Sequence, residues 1–349
     1  MKNSHGGDIY GQKVTLDFSV SINPLGMPES VIEAAKKGVE CSECYPDVDC
    51  RELIKAIAEY EQISPDHVIC GNGAADLIVQ LCMAVRPRKA LLVEPTFSLY
   101  EEALQAVGCQ VETVSLWEEH DFAADRDFIE RLIGQIDSAT DIVFLCNPNN
   151  PTGQLISSSG MEELIEVCRE NQCRVVIDEC FIELSDCNGQ YNPPKQNSHV
   201  FILKAFTKTY AMPGLRLGDG ITTDRDLILQ MKSLIQPWNV SVPAQMAGVA
   251  ALREKEYLQK SRQYIKEQRE YLLRELSDGP IRKVYPSDVN FILFQSDAGL
   301  QRSLLKRGIL IRDCSNFRGL SEGFYRIAVR REEENRQLIK GMKELLWQK

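Results

Sequence analysis

KAFTKTYAMPGLRLG, residues 204–218, places Lys208 among small and hydroxylated side chains, with Arg216 eight positions later. The stretch overlaps the apolar run VFILKAF (200–206), which is typical of a strand buried on both faces of a sheet. A lysine held in a partly desolvated pocket has a lowered pKa, and its neutral amine attacks carbonyl groups. The stretch therefore predicts a reactive lysine just beyond the end of a buried strand.

Other apolar runs alternate with helical patterns around this stretch. Further strands are predicted at KALLVEP (89–95), DIVFLCNP (141–148) and CRVVIDE (173–179). Helices are predicted at 74–86, 98–107, 157–171 and 224–235. Alternating strands and helices favour an α/β fold, a mainly parallel sheet with helices on both faces.

The pattern changes after residue 240, where a long, charged helical segment leads to shorter runs such as VNFILFQ and FYRIAVR. We expect a smaller α+β domain there, packed against the first one. The predicted organisation is an N-terminal segment that joins the small domain, a large domain, a long connecting helix and a small C-terminal domain. The corresponding boundaries are 1–40, 41–240, 241–280 and 281–349.

Composition limits the partners of this chain. The 349 residues carry a net charge of −10, and no long block of lysine and arginine is present, so we expect no nucleic-acid or anionic-membrane partner. No apolar run approaches the roughly 18 residues of a membrane span, and the N-terminus lacks the apolar core of a signal peptide. We therefore expect a cytoplasmic protein.

The twelve cysteines are scattered through predicted strands and helices, so we expect free thiols. Cys41, Cys44 and Cys50 have the spacing of half a metal site. Because structural zinc usually takes four ligands and no second close pair or histidine follows nearby, we predict no metal.

Polar residues follow several predicted strands. In CGNGAADLI (70–78) a glycine turn precedes a helix, whose free N–H groups could hold a phosphate. An ordinary tight turn is the alternative, because Asp76 replaces the last glycine of the dinucleotide fingerprint. Asp178 ends an apolar strand, where burial favours a positive partner such as a protonated ring nitrogen, and Arg216 could bind a phosphate. A surface salt bridge is the alternative for each charged residue.

Asparagine, aspartate, lysine and arginine in this order, each at a strand end, resemble the fold-type I pyridoxal phosphate enzymes, the aspartate aminotransferase superfamily. The elements that carry the resemblance are NNPTG (149–153), DE (178–179) and T-K-x-x-x-x-P-G-L-R-L-G (207–218). The resemblance covers nearly the whole chain. It implies that the cofactor is pyridoxal 5′-phosphate.

The resemblance also implies roles for individual residues. Lys208 would bind the cofactor aldehyde, and Asp178 would keep the ring nitrogen protonated so that the ring accepts electrons from the substrate α-carbon. Asn150 would hydrogen bond the ring hydroxyl, and Tyr100 would stack on the ring. The residues expected to bind the cofactor phosphate are Gly73, Ala74, Ala75, Thr207 and Arg216.

Two further positions bear on the resemblance. Tyr45 matches a tyrosine that reaches the cofactor phosphate of the neighbouring subunit, which implies a homodimer with shared active sites. Phe181 departs from the family, because many relatives have a tyrosine there that also bonds the ring hydroxyl. Asn150 would then make that contact alone.

The two ends of the chain resemble the threonine-phosphate decarboxylases of cobalamin side-chain synthesis. SHGGDIYG (4–11), DFSVSINPLGMP (17–28), QPWNVSVPAQ (236–245) and ILIRDCSNFRGLSEGFYRIAVR (309–330) carry this resemblance. It implies decarboxylation of L-threonine O-3-phosphate to (R)-1-aminopropan-2-ol phosphate and CO2. The residues implied in substrate binding are Arg326 for the α-carboxylate, Arg312 and His5 for the phosphate, Asn150 beside the ring, and Arg330 as a second candidate near the carboxylate.

Three alternatives remain open at this point. A histidinol-phosphate aminotransferase needs the same lysine, so the residues around Lys208 do not separate the two activities. A decarboxylase acting on L-serine phosphate differs by one substrate methyl group, worth about 1 to 3 kcal/mol in an apolar pocket. The more remote alternative is a regulator that binds the cofactor without catalysis, which the acidic charge disfavours.

Overall fold

The computed structural model describes residues 6–187 and 195–346. The strands are β1 (Leu16–Asp17), β2 (Val68–Gly71), β3 (Lys89–Glu94), β4 (Gln110–Ser115), β5 (Ile142–Cys146), β6 (Arg174–Asp178), β7 (Val200–Ala205), β8 (Gly218–Ile221), β9 (Lys283–Val284), β10 (Phe291–Gln295), β11 (Ile309–Leu310), β12 (Arg312–Asp313) and β13 (Phe324–Ala328). The α-helices are α1 (Glu29–Glu40), α2 (Arg51–Glu61), α3 (Ala74–Val85), α4 (Leu99–Ala106), α5 (Arg126–Ile133), α6 (Ser158–Glu170), α7 (Phe206–Thr209), α8 (Arg225–Leu234), α9 (Val242–Ala251), α10 (Lys255–Ser277), α11 (Leu300–Leu305) and α12 (Glu332–Leu346).

Seven strands form the large sheet, in the order β2-β8-β7-β6-β5-β3-β4. Strands β3 to β7 run parallel to their neighbours within that group, and β8 is antiparallel to both β2 and β7. Each strand and helix predicted between residues 74 and 235 is present, with ends that differ by at most two residues. The predicted α/β architecture is confirmed.

Helices cover both faces of this sheet because the side chains of its strands alternate. Val143 of β5 packs in the buried cluster that contains Phe128 of α5 and Leu164 of α6. Phe144, the next residue, packs in the opposite cluster, with Leu104 of α4. Successive side chains of a strand point to opposite faces, so an apolar run without alternation needs a helix layer on each side.

Side-chain caps fix the beginnings of two predicted helices. The Ser157 hydroxyl accepts a hydrogen bond from the Gly160 N–H at 3.2 Å, and the Asp224 carboxylate accepts from the Leu227 N–H at 3.0 Å. Each cap satisfies an N–H group that has no partner within its helix, which is why α6 and α8 begin just after these residues.

A four-stranded antiparallel sheet, in the order β12-β13-β10-β9, forms the C-terminal part of the structure with α10 and α12. Strand β1 pairs in parallel with β11, so the N-terminal segment contacts this part of the chain. The segment 241–280, predicted as one connecting helix, contains two helices, α9 and α10. The break allows α9 to pack on α1 and α10 to pack on α12. The proposed domain boundaries stay a prediction.

Within the two described ranges, no helix combines the length and the apolar character that crossing a lipid bilayer requires.

Candidate active site

A cavity of about 230 Å³ lies at the carboxyl ends of β5, β6 and β7, between the large sheet and the C-terminal sheet. Ligands of parallel sheets gather at this edge. The structure brings ten of the predicted site residues into the cavity wall. They are Ala74, Ala75, Tyr100, Asn150, Asp178, Thr207, Lys208, Arg216, Arg312 and Arg326.

Lys208 lies on the short helix α7, three residues beyond the end of β7. Burial disfavours its charged form, the positive charge of Arg326 adds to this effect, and together they lower the pKa of Lys208 to about 8. The Asn23 N–H donates to the Lys208 carbonyl at 3.1 Å, which ties the N-terminal segment to the helix. A substantial fraction of this amine is therefore neutral near pH 8, as the sequence predicted for a reactive lysine.

Asp178 is the last residue of β6 and is only 5% exposed. One carboxylate oxygen accepts from the Tyr100 hydroxyl at 2.5 Å, and the other accepts from the Cys180 N–H at 2.9 Å. Burial raises the pKa of Asp178 above its usual range, although the hydrogen bonds from Cys180 and Tyr100 oppose the shift. A cationic or hydrogen-bonding ligand group would stabilise this buried carboxylate further.

Tyr100 is fully buried and lines the same wall. Its ring stacks on Phe144 with 5.2 Å between centroids, and it meets the edge of Phe97 at 5.6 Å. The Tyr100 hydroxyl donates a hydrogen bond to the Asp178 carboxylate. Sequence reasoning assigned Tyr100 only a stacking role, because nothing in the linear pattern links β6 with α4.

The N-terminus of α3 and Arg216 form a tightly packed cradle. Gly73 has φ +85°, and a Cβ there would lie 2.7 Å from the Arg216 guanidinium. A Cβ on Gly218 would lie 2.6 Å from the Ala74 nitrogen. Arg216 itself donates to the Pro213 carbonyl at 3.2 Å. Free N–H groups of a helix N-terminus and a guanidinium group together suit a phosphate.

The carboxylate of Asp76 accepts three hydrogen bonds from neighbouring residues. It accepts from the Asn72 N–H at 2.9 Å and from the Asn239 side chain at 2.7 Å, and its other oxygen accepts from Gln80 at 2.6 Å. These bonds stabilise the turn that precedes α3. The residue that departs from the dinucleotide fingerprint thus has a structural role here.

Arg312 and Arg326 lie directly opposite each other on the paired strands β12 and β13. Arg326 donates to the side-chain oxygen of Asn150 and, at 3.1 Å, to the Ser19 carbonyl. Burial lowers the pKa of Arg326 to about 10. Arg312 donates to the side-chain oxygen of Asn316 at 2.8 Å, and burial lowers the pKa of Arg312 as well.

The two glycines of the HGG element pack against Ser19. A Cβ on Gly6 would lie 2.3 Å from the Ser19 carbonyl oxygen, and the Gly7 N–H donates to the Ser19 hydroxyl at 2.8 Å. Gly6 and Ser19 both line the cavity, although neither was predicted as a site residue. His5, predicted to bind the substrate phosphate, lies outside the described residues.

Three predicted site residues do not line the cavity. Gly73 lies beneath Arg216 as part of the cradle. Tyr45 is 77% exposed and stacks on Trp238, with 4.3 Å between ring centroids. Arg330 donates to Glu334 at 3.0 Å and lines a separate cleft, so the structure does not bring it into the cavity with Arg326. The sequence placed Arg330 four residues after Arg326 and gave no sign that Arg330 would pair with Glu334.

All twelve cysteines lie within the described residues, and all are free thiols, as predicted. Cys41 and Cys44 are exposed, and Cys50 is buried. Cys146 and Cys180 line the cavity, which the sequence pattern did not indicate.

Known proteins are similar to this chain over nearly its whole length. Residues 13–342 match the family model of aminotransferase class I and II. The chain is 33% identical to the threonine-phosphate decarboxylase of Salmonella typhimurium, over 99% of this chain and 97% of that protein. It is 38% identical to a protein of Caldanaerobacter subterraneus that is provisionally named a threonine-phosphate decarboxylase, over 98% and 93% of the two chains.

A solved structure is similar over almost the same length. The histidinol-phosphate aminotransferase of Clostridium acetobutylicum superimposes with a TM-score of 0.85, is 33% identical, and matches over 95% of this chain and 98% of that one. The matches to the family model, to the Salmonella decarboxylase and to the solved structure each cover nearly all of this chain. The chain belongs to the aminotransferase class I and II family.

Proposed function

We propose that this chain is a pyridoxal phosphate-dependent decarboxylase that converts L-threonine O-3-phosphate into (R)-1-aminopropan-2-ol phosphate and CO2, for cobalamin side-chain synthesis. The observation that carries the proposal is the pair Arg312 and Arg326, which line the same cavity as Lys208. Two guanidinium groups suit a substrate with a carboxylate at one end and a phosphate at the other. The similarity to the Salmonella decarboxylase supports the same assignment.

The charges of the cavity fit the cofactor. Among the described wall residues, four side chains are cationic, Lys208, Arg216, Arg312 and Arg326, and one is a carboxylate, Asp178. The cradle of α3 and Arg216 suits the cofactor phosphate, and the buried Asp178 suits a protonated ring nitrogen. When bound, the cofactor supplies an electron-accepting ring that stabilises negative charge at the substrate α-carbon.

Each cofactor-binding residue has its own task in this proposal. Lys208 offers a neutral amine to the cofactor aldehyde, because burial lowers its pKa to about 8. Asn150 accepts from Arg326 through its oxygen, and its amide N–H groups would hydrogen bond the ring hydroxyl. Tyr100 donates to Asp178 and would stack on the ring. The N–H groups that follow Gly73, at Ala74 and Ala75, would hold the cofactor phosphate together with Thr207 and Arg216.

The substrate is oriented from both ends. Arg326 binds the α-carboxylate, and Arg312 binds the phosphate with His5. Contacts at both ends would fix the orientation of the α-carboxylate in the cavity, which would favour loss of CO2 over loss of a proton. Lys208 or a water molecule would supply the proton that the α-carbon takes up. Binding energy from the remote phosphate supports turnover as well as affinity, because it holds the reacting bond in this orientation.

We also propose that the enzyme acts as a homodimer in which Tyr45 reaches the cofactor phosphate of the partner subunit. The exposed stack of Tyr45 on Trp238 supports this, because large aromatic side chains on a surface often mark a contact with another chain. Analytical ultracentrifugation should give a dimer. A monomer with full activity would contradict the shared site.

The activity is tested with purified, cofactor-loaded protein in three reactions. The substrates are L-threonine phosphate, L-serine phosphate, and histidinol phosphate with 2-oxoglutarate, and the products followed are CO2, amine and glutamate. We expect CO2 and an amino-alcohol phosphate without any keto acid, at a higher rate with threonine phosphate. Glutamate without CO2 would assign the enzyme as an aminotransferase, and no turnover of any substrate would favour a non-catalytic role.

Histidinol-phosphate aminotransferase is the second candidate function. The similarity to the Clostridium acetobutylicum aminotransferase favours it, because that structure shares the fold and a third of the residues with this chain. The close packing of Gly6 and Gly7 on Ser19 at the cavity favours the decarboxylase, since the HGG element is typical of that group and not of the aminotransferases.

A further inference from the structure

Ser19 lies between the N-terminal segment and the arginine that is assigned to the α-carboxylate. It is only 2% exposed, and it lines the cavity, as Gly6 and Val20 do. Its hydroxyl accepts from the Gly7 N–H at 2.8 Å, and its carbonyl accepts from Arg326 at 3.1 Å. One residue therefore contacts both the HGG element and Arg326.

The Ser19 hydroxyl is oriented by a nearby carboxylate. It donates to Asp17 at 2.6 Å, and the Ser19 N–H donates to the same carboxylate oxygen at 2.8 Å. A hydroxyl group has one proton and two lone pairs, so donation to Asp17 leaves the lone pairs for the Gly7 N–H. Asp17 thus holds the Ser19 hydroxyl in the orientation that accepts from the N-terminal segment.

Hydrogen bonds of the preceding residue fix the position of Ser19. The Phe18 N–H donates to the Leu310 carbonyl at 2.8 Å, and the Phe18 carbonyl accepts from the Ala328 N–H at 2.9 Å. Ala328 lies two residues after Arg326 on β13. Because Phe18 is bound between β11 and β13, the backbone of Ser19 is held at a fixed distance from Arg326.

The N-terminal segment packs closely on this point. Gly7 has φ +84°, and a Cβ there would lie 3.0 Å from Val20 Cγ1. A Cβ on Gly6 would lie 2.3 Å from the Ser19 carbonyl oxygen. Glycine permits this approach at both positions because it has no Cβ. The segment therefore reaches the cavity wall at the oxygen that also accepts from Arg326.

Arg326 is the group whose surroundings depend on this packing. It is buried, and its acceptors among the described residues, the Asn150 amide and the Ser19 carbonyl, are neutral. Its Nε is buried without a hydrogen-bond partner in the same part of the chain. A low local dielectric strengthens the attraction between a guanidinium group and a carboxylate ligand, and water at this point weakens it.

We propose that Ser19 is a positioning residue for the substrate α-carboxylate, because its hydroxyl seats the HGG element beside the carbonyl that orients Arg326. Seated in this way, the N-terminal segment excludes water from the Arg326 end of the cavity. The inference rests on the proposed function for the identity of the carboxylate ligand. Ser19 acts through Gly7 and Arg326 and takes no part in the chemical step.

The first test compares Ser19→Ala with the matched control Ser21→Ala. Ser21 is 1% exposed, and its hydroxyl has no hydrogen-bond partner within the described ranges. The probe is 3-phosphooxybutanoate, which carries the carboxylate and the phosphate of the substrate without the amino group and is therefore not turned over. Calorimetric titration of the holoenzyme should give a Kd about 3-fold to 30-fold higher in Ser19→Ala and changed less than about two-fold in Ser21→Ala. An unchanged Kd in Ser19→Ala would overturn the proposal.

Hydrogen exchange followed by mass spectrometry separates positioning from a general loss of stability. Ser19→Ala leaves the Gly7 N–H without its acceptor, so exchange should become faster in residues 6–12 and stay unchanged in the peptides that contain β5 and β6. Equally faster exchange in all these peptides would mean that Ser19 supports only the fold, and the positioning role would be wrong.

A double-mutant cycle tests whether Ser19 acts through Gly7. Gly7→Ala is strained at φ +84° and crowds Val20, so it displaces the same segment. Adding Ser19→Ala to Gly7→Ala should cause no further loss of affinity for the probe, because the contact is already broken. Additive losses in the double variant would contradict this route.

The binding and exchange measurements need no turnover, which keeps this inference distinct from the proposed activity. If the unaltered enzyme releases no CO2 from either amino-acid phosphate, while Ser19→Ala weakens probe binding and Ser21→Ala does not, the proposed function fails and the role of Ser19 stands. If the enzyme releases CO2 and Ser19→Ala has an unchanged KM for L-threonine phosphate, the role of Ser19 fails and the proposed function stands.

Discussion

Lys204 and Lys208 lie four residues apart on one segment, yet their surroundings are opposite. Lys204 belongs to β7 and projects behind the large sheet, where its amine lies 2.5 Å from Glu61, 3.7 Å from Glu183 and 4.0 Å from Glu179. Burial alone would lower the pKa of Lys204, but attraction by Glu61, Glu179 and Glu183 outweighs it and raises the pKa. Lys208 faces the cavity, where burial and Arg326 lower its pKa to about 8.

The comparison teaches that burial does not decide the role of a lysine, whereas the charges of its neighbours do. The adjacent carboxylates Asp178 and Glu179 differ in the same way, since the first lines the active-site cavity and the second lines a smaller cavity of about 40 Å³ behind the sheet. The alternation of side chains along a strand separates a reactive face from a structural one.

Replacing the reactive lysine should give the largest effect on activity. We expect Lys208→Ala to lower decarboxylase turnover by about 10⁴-fold or more and to abolish the absorbance of the lysine-bound cofactor. The free energy of unfolding of the apoprotein should be unchanged or higher, because the variant no longer buries this amine. Lys232→Ala, on the exposed face of α8, is the control. Full turnover in Lys208→Ala would contradict the reactive role.

Replacing Lys204, the lysine behind the large sheet, should lower the stability of the fold. Lys204→Met removes the cation that the buried Glu61 and Glu179 share and leaves Glu61 with Lys195, so we expect the free energy of unfolding to fall by about 3 to 5 kcal/mol. Urea unfolding followed by circular dichroism measures this loss. In the control Lys260→Met, which breaks an exposed ion pair with Glu256, the change should stay below about 0.5 kcal/mol. An equal fall in the free energy of unfolding of both variants would contradict the structural role of Lys204.

The smallest expected effect concerns Asp219, which lines the rear cavity near Lys204. Burial raises the pKa of Asp219 to about 7 in the folded protein, against the attraction of Lys204, from an ordinary value of 3.8. Between about pH 4 and pH 7 the folded protein therefore holds a proton that the unfolded chain has released. The free energy of unfolding falls as the pH rises through this window.

The variant Asp219→Asn removes this titration. At pH 8 we expect it to be more stable than the unaltered protein by about 1 kcal/mol or more, and at pH 4 the two should be equal. Asp278→Asn, an exposed change at the end of α10, serves as the control. A difference between variant and parent that is independent of pH would show that the Asp219 carboxyl does not titrate in this window.

Much of the fold and part of the site follow from local patterns. Apolar runs without alternation predicted strands β3, β5, β6 and β7, because strands covered on both faces need apolar residues at every position. Asp178 and Lys208 were predicted as site residues for a related reason, since a polar residue directly after such a run lies at the ligand-binding edge of the sheet. The short, glycine-rich strand β8 had no comparable signal.

The sequence by itself predicted the strands and helices between residues 74 and 235, the order of the strand-end residues and a lysine expected to be reactive, because these depend on neighbours within a few positions along the chain. Only the tertiary structure decided which partner each charged residue meets. Glu61 of α2 meets Lys204, Arg326 of β13 meets Asn150, and Tyr100 of α4 meets Asp178. Hydrogen bonds and ion pairs act over a few ångströms in space, so their partners are fixed only when the packed elements bring distant parts of the chain together.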